Sequence, residues 1–398
     1  MMIGFKNIKK NKDIIYICLF LVFIIGLALY LPKILGQHYV SGESIDYPNG
    51  EIKIEESKEP VFVPSYIKTP ESVKGVYMTS WVAGTPSLRN GIVKLIDDTE
   101  INTIVIDIKD YSGKIVFPIT DQKLKSYGSE EVRVSDMQSF VEELHKKNIY
   151  VVGRVAVFQD AYFSKIRPDL AVKNKAGTSV WRDRKGLSWV DPASREYWQY
   201  IVEISNEARK IGFDEINFDY IRFPSDGNMK DISYPFSSTT PRTVVMGDFF
   251  KYLNENLIEE SANQDRLKIS ADLFGMVTTA EDDMGIGQLL EVALPYFDYI
   301  MPMVYPSHYP PTYMGYKNPA DFPYEIVNHD MSSAVARANM ASTSPLKLRP
   351  WLQDFNLGAT YDATKVRAQI KATYDSGLTS WVLWSASNKY TRGALNDN

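Results

Sequence analysis

Gly212-Phe213-Asp214-Glu215-Ile216-Asn217-Phe218-Asp219-Tyr220-Ile221-Arg222-Phe223-Pro224 reads as a short buried strand that closes on a carboxylate, an aromatic, an arginine and a chain-breaking proline. A carboxylate at the C-terminal end of a parallel strand is where barrel enzymes carry catalytic groups. Period-two alternation puts Glu215, Asn217 and Asp219 on one face, with Asn217 one layer below Asp219.

Outward from this segment the same pattern recurs. Runs rich in Val, Ile and aromatics occupy residues 73–81, 103–108, 149–157, 215–221, 268–274, 299–304, 346–353 and 380–385. Helical stretches separate most of them, at about 87–99, 135–147, 196–210, 244–260, 286–294 and 365–376. In the second of these Met137, Phe140, Val141 and Leu144 fall at helical spacing. This alternation predicts a closed (β/α)8 TIM barrel. An open doubly wound sheet is the alternative. It would call for a glycine-rich first turn, and Gly285-Ile286-Gly287 has neither the spacing nor the preceding strand.

Upstream lies a different composition. Residues 14–31 form an uncharged apolar run of 18 residues, near the ~20 that cross a bilayer, and Lys6, Lys9, Lys10 and Lys12 precede it. The expected order is a basic cytoplasmic tail (1–13), a transmembrane anchor (14–31), an extracytoplasmic stalk (32–70) and the barrel (71–398). The excess of lysine before the anchor places the barrel outside the cytoplasm. A cleaved signal peptide is the rival, but its apolar core is usually shorter, and no clean small-x-small site stands before Pro32.

Net charge is −5, which supplies no basic footprint for nucleic acid. The single cysteine, Cys18, lies inside the apolar run, so neither an intramolecular disulfide nor a Cys-based zinc site is available. The four histidines, His38, His145, His308 and His329, show no metal-binding spacing, and no G-x-S-x-G elbow is present. Neither a metal nor a cofactor is expected.

Carboxylates, aromatics and amides dominate the strand ends, and a sugar asks for such a set. Flat rings cover the apolar face of a pyranose, while Asp, Arg, Asn and Gln grip its hydroxyls. Two carboxyls flanking a glycosidic bond cleave it, one protonated and one ionised. Asp219 and Asp272 end neighbouring strands ~4.8 Å apart. That spacing is compatible with the ~5–5.5 Å of retaining enzymes, while inverting ones need ~6.5–9.5 Å, and the choice stays open. Asp107, Arg222, Tyr305, His308, Gln353, Trp181, Trp189 and Trp384 are the candidate substrate contacts. Bland alternatives stand beside them: an Asp219–Arg222 ion pair, a structural Asp107–Arg154 pair, and loop packing for Trp181 and Trp189.

Four segments carry a family likeness: residues 218–224 (FDYIRFP), 270–275 (SADLFG), 299–309 (YIMPMVYPSHY) and 349–355 (RPWLQDF). Together they resemble the "putative glycosyl hydrolase domain" family of bacterial envelope proteins. The resemblance implies a (β/α)8 barrel near the α-amylase-like and exopolysaccharide-cleaving barrels. It further implies a strand-four Asp as nucleophile and a strand-five acid as proton donor, hence Asp219 and Asp272. In the related barrels the strand-five acid is commonly Glu, and here it is one methylene shorter. The expectation is a membrane-anchored glycoside hydrolase acting on an envelope or extracellular polysaccharide. A non-catalytic polysaccharide-binding or envelope-assembly barrel is the alternative.

Overall fold

The computed structural model describes residues 62–257 and 267–398. The tail, the anchor and most of the stalk expected from the sequence lie outside these residues. Among the described residues no helix is long and apolar enough to cross a membrane.

Eight parallel strands close into a barrel in sequence order. They are β1 (Lys74–Met78), β2 (Thr103–Lys109), β3 (Tyr150–Ala156), β4 (Glu215–Asp219), β5 (Lys268–Phe274), β6 (Tyr299–Met303), β7 (Trp351–Gln353) and β8 (Trp381–Trp384). The principal helices packed outside are α1 (Pro86–Asp97), α2 (Met137–Lys146), α3 (Arg195–Lys210), α4 (Arg242–Asn256), α5 (Leu290–Ala293), α6 (Pro323–Met340) and α7 (Ala363–Asp375). Each strand faces side chains inward and helices outward, so both faces are dry and the strands read as continuous apolar runs. Every residue of β2 and β3 is buried. The helices are one-sided: α2 buries Met137, Phe140, Val141 and Leu144. Ser194 caps α3 by accepting from the Tyr197 amide, and Arg209 and Lys210 close its last turn.

Three elements depart from the sequence expectation. β7 is three residues long, because Pro345–Lys347 forms a 3-10 turn and Pro350 has no N–H for a ladder. The helix expected over 286–294 contracts to Leu290–Ala293, since Gly285 and Gly287 hold positive φ in a turn. The long α6 was not anticipated. Its buried face mixes small residues, Ala334 and Ala338, with the carboxylate of Asp330, which blurs the apolar period.

The barrel also begins earlier than residue 71. Residues 62–70, assigned to the stalk from sequence, lie against the N-terminal end of the barrel. The Ile67 amide donates to Asp214 (2.6 Å), and Thr69 donates to Tyr150 (3.1 Å). Tyr150 in turn donates to the buried Glu215, which Arg349 pairs at 3.0 Å. This polar layer closes the bottom of the barrel and leaves the opposite end open.

At that open end a buried ion pair fixes the start of the long loop after β3. Lys109, wholly buried, lies 2.9 Å from Asp160 and also donates to the Ala156 carbonyl (2.6 Å). Asp160 accepts further bonds from the Phe163 amide (2.7 Å) and Tyr197 Oη (2.8 Å). Removing one partner strands a buried charge, which costs about 3–5 kcal/mol. Asp160→Ala is therefore expected to lower unfolding free energy by about that amount in urea denaturation; a loss below about 1 kcal/mol would contradict this role.

Candidate active site

The ladder between β4 and β5 sets Asn217 opposite Ser270. Asp219 and Asp272 each lie two residues further on, so both carboxylates stand at one level on adjacent strands. Between them and Asp107 lies a single guanidinium, that of Arg154 on β3. Its Nη1 donates to Asp107 Oδ1 (2.7 Å), its Nη2 donates to Asp219 Oδ2, and its Nε lies 3.7 Å from Asp272 Oδ2. Both Asp219 and Asp272 lie within 4 Å of this one group, so their separation is below ~10 Å, within the reach of a two-carboxylate mechanism.

The surroundings of the two acids differ. Asp219 sits at the strand end, and its Oδ1 accepts from the Tyr220 amide at 2.6 Å. That bond requires the chain to turn sharply, and Tyr220 holds φ at 54°. Left-handed backbone at a bulky residue costs roughly 1–3 kcal/mol, a cost concentrated at functional sites. It also ends β4 at Asp219 and not at Ile221. Asp272 lies deeper, 1% exposed, with Oδ1 accepting from Asn217 Nδ2 (2.8 Å) and Trp351 Nε1 (2.7 Å). Burial and the negative charge of Asp219 push its carboxyl well above the ordinary range, against the opposing pull of Arg154 and the two donors. Burial thus favours the protonated form of Asp272, while Asp219 is the partner in direct contact with Arg154.

A cavity of about 360 Å³ opens above this floor. Arg154, Asp219, Tyr220, Arg222, Asp272, Phe274, Tyr305, His308, Trp351 and Trp384 are among its walls. Gly275 is needed beside it: a Cβ there would lie 2.5 Å from Tyr309 Oη and 2.6 Å from the Met303 carbonyl. The Tyr305 hydroxyl has no partner among the described residues, while its ring packs on His308 and Phe355. Burial and the charge of Lys185 lower the pKa of His308, which favours a neutral imidazole at the rim. Trp384 stacks on Tyr77 at 4.0 Å between centroids. Beyond Trp384 and His308 the cavity adjoins a second groove, walled in part by Asn356, Tyr361, Ser387 and Lys389.

Of the residues singled out from sequence, Asp219, Asp272, Arg222, Tyr305, His308 and Trp384 thus meet at one cavity. Four do not. Asp107 lies behind Arg154 and also accepts from Tyr77 Oη at 2.5 Å, the structural pair weighed as its bland alternative. Gln353 braces two loops, accepting from the Ser307 amide and donating to the Phe355 carbonyl. Trp181 is buried against Gly227 and donates to the Asn228 carbonyl. Trp189, 1% exposed, donates to Asp183 and packs beneath Arg222. These two tryptophans hold the loop and are not sugar platforms, because their rings are covered by protein. Asp219 is not paired with Arg222 either; its partner comes from β3. Two residues stand out only in three dimensions. Arg154 was visible in sequence merely as a partner for Asp107, and Trp81, expected inside the first strand, stands 62% exposed under Arg133 just after β1.

The raised pKa of Asp272 has a consequence for stability. The folded protein binds this proton more tightly than the unfolded chain. The stabilisation is fully present below the ordinary Asp value of ~3.9 and is lost as pH rises through the folded-state pKa. Wild type should therefore lose stability relative to Asp272→Asn as pH is raised from 4 to 8, measured by urea unfolding of both proteins. A difference that moves in favour of wild type with rising pH would show a carboxylate stabilised by Arg154.

Comparison with known proteins bears on this geometry. A family profile described as "Putative glycosyl hydrolase domain" matches residues 75–390. No curated protein matches the chain. Among solved structures, a hypothetical protein from Ruminiclostridium thermocellum ATCC 27405 is 34% identical, over 50% of this chain and 96% of its own, with a TM-score of 0.44. The PgaB (BpsB) glycoside hydrolase domain from Bordetella bronchiseptica is 14% identical, over 79% of this chain and 94% of its own, with a TM-score of 0.56. Alpha-L-fucosidase isoenzyme 2 from Paenibacillus thiaminolyticus is 12% identical, over 82% of this chain and 47% of its own, with a TM-score of 0.53. At such identities the last two likenesses speak for the shared barrel alone. The profile spans nearly the whole barrel, including both acids, and by it this chain belongs to the "putative glycosyl hydrolase domain" family.

Proposed function

We propose that this protein is a glycoside hydrolase that cleaves an envelope or extracellular polysaccharide with Asp219 and Asp272. The observation that carries the reading is the unequal pair: two carboxyls at one level of adjacent strands, sharing Arg154, one bonded directly to it and the other buried deeper with its pKa pushed up. Separated protonation of two acids is what cleavage of a glycosidic bond requires. Asp272 donates its proton to the leaving oxygen as the bond to the anomeric carbon breaks. Asp219 attacks that carbon or takes the proton of an attacking water. Arg154 keeps Asp219 oriented as charge develops on the sugar. Tyr305 and Trp384 offer a hydroxyl and an aromatic surface to the ring, and the groove beyond Trp384 leaves room for further residues of a chain.

The apolar run at residues 14–31 and the lysines before it support an uncleaved anchor with the barrel outside the cytoplasm. A protease added to intact spheroplasts should then degrade the barrel, while a cytoplasmic marker survives. Protection of the barrel would remove this placement.

Asp219→Asn should fold as wild type yet hydrolyse envelope glycans at least ~10²-fold more slowly, the scale expected for loss of an acid–base or nucleophilic group. Reducing-end release from a panel of envelope glycans measures it. Hydrolysis at the wild-type rate would exclude Asp219 from catalysis, and glycan binding without any hydrolysis by wild type would favour the non-catalytic alternative.

A further inference from the structure

Arg222 is an oddity in the wall of the cavity. It is 8% exposed, yet no carboxylate among the described residues lies within ion-pairing distance. Among the described residues its only hydrogen bonds run from Nη1, to the Phe223 carbonyl (3.0 Å) and to Ser225 Oγ (3.2 Å). Nε and Nη2 have no acceptor among the described residues. The carboxylates near enough to influence it are committed elsewhere. Asp219 serves Arg154 and the Tyr220 amide. Asp183 accepts from the Lys185 and Leu187 amides, Gln159 and Trp189. Asp226 faces Arg184 at 3.3 Å.

Aromatic rings hold the group in place. The guanidinium carbon lies 4.7 Å from the Phe274 ring centroid, 4.9 Å from that of Trp189 and 5.7 Å from that of Tyr220. Such packing orients a cation but does not neutralise it. A buried charge without a partner is costly unless something arrives to compensate it. Burial lowers the pKa of Arg222, which records that cost. The free edge of an arginine fork suits a planar or tetrahedral oxyanion bound through two parallel N–H bonds.

We infer that the cavity takes a sugar residue bearing an anionic substituent, and that Arg222 is the receptor for its negative charge. This rests on the glycoside hydrolase reading for the sugar but not for the anion. The substituent is either a ring carboxylate, as in a uronic acid, or a sulfate ester. Arg154 does not compete for it, since three carboxylates on the cavity floor already surround its charge.

The test is ligand-observed NMR titration of the full-length protein with D-glucuronate, D-glucose 6-sulfate and D-glucose. At least one anionic sugar should bind ten-fold or more tightly than glucose, and which one does so identifies the substituent. That preference should weaken as salt is raised. Arg222→Gln should bring the anionic sugar to the level of glucose measured on the same variant, while Arg222→Lys should keep part of the preference. The comparison on wild type needs no variant, so a poorly folding variant leaves it decisive. Equal binding of all three sugars, no binding of either anionic sugar, or a preference that survives Arg222→Gln would overturn the inference. If instead the anionic preference holds and no glycan is hydrolysed, the anion receptor stands and the catalytic reading falls. If neutral glycans are hydrolysed with no dependence on Arg222, the reverse follows.

Discussion

Everything at the open end of the barrel depends on the guanidinium of Arg154. Three carboxylates surround it inside a dry barrel, and one positive charge cannot balance three negative ones. Two of the acids, Asp107 and Asp219, make direct hydrogen bonds to it; Asp272 stands off at 3.7 Å. A proton on one acid relieves part of that imbalance, and the raised pKa of Asp272 places it on the acid that gains least from Arg154 and is most deeply buried. The two acids thus differ in their electrostatic surroundings before any substrate is present. Asp107, which does not itself line the cavity, still matters, since it pins the guanidinium from behind and is itself held by Tyr77.

The fold supplies this arrangement through register. Asn217 opposite Ser270 brings Asp219 level with Asp272, and Asn217 then reaches up to hold Asp272. The left-handed turn at Tyr220 ends the strand where the carboxylate is needed and gives Asp219 a second donor. The same turn carries the chain to Arg222, whose charge is placed in the cavity wall and not on its floor. Two arginines thus stand in the same space: one surrounded by three carboxylates on its floor, one in its wall with no carboxylate within ion-pairing distance among the described residues.

Much of this was legible in the sequence, for identifiable reasons. β2 to β6 stand within a few residues of their expected bounds because strands buried on both faces carry unbroken apolar runs. Asp219 and Asp272 were conspicuous as charges inside such runs. Arg154 carried no comparable signal, since an arginine beside a strand aspartate predicts a pair and says nothing of a third partner. Trp181 and Trp189 misled because an aromatic in a long loop has the same sequence appearance over a substrate as under a chain. α6 escaped notice because Asp330, bonded to Tyr309 and Tyr313, interrupts its apolar face with a carboxylate. The placement of residues 62–70 rests on the bond from the Ile67 amide to the Asp214 carboxylate and that from Thr69 to Tyr150, which no composition rule reveals.

The account stands on the protonation of Asp272. Carbon-13 NMR of the aspartate carboxyls, with the signal assigned by its loss in Asp272→Asn, reads that state directly. A resonance that titrates well above the ordinary aspartate range is the predicted result. A resonance already ionised within that range would contradict the division of roles between Asp272 and Asp219.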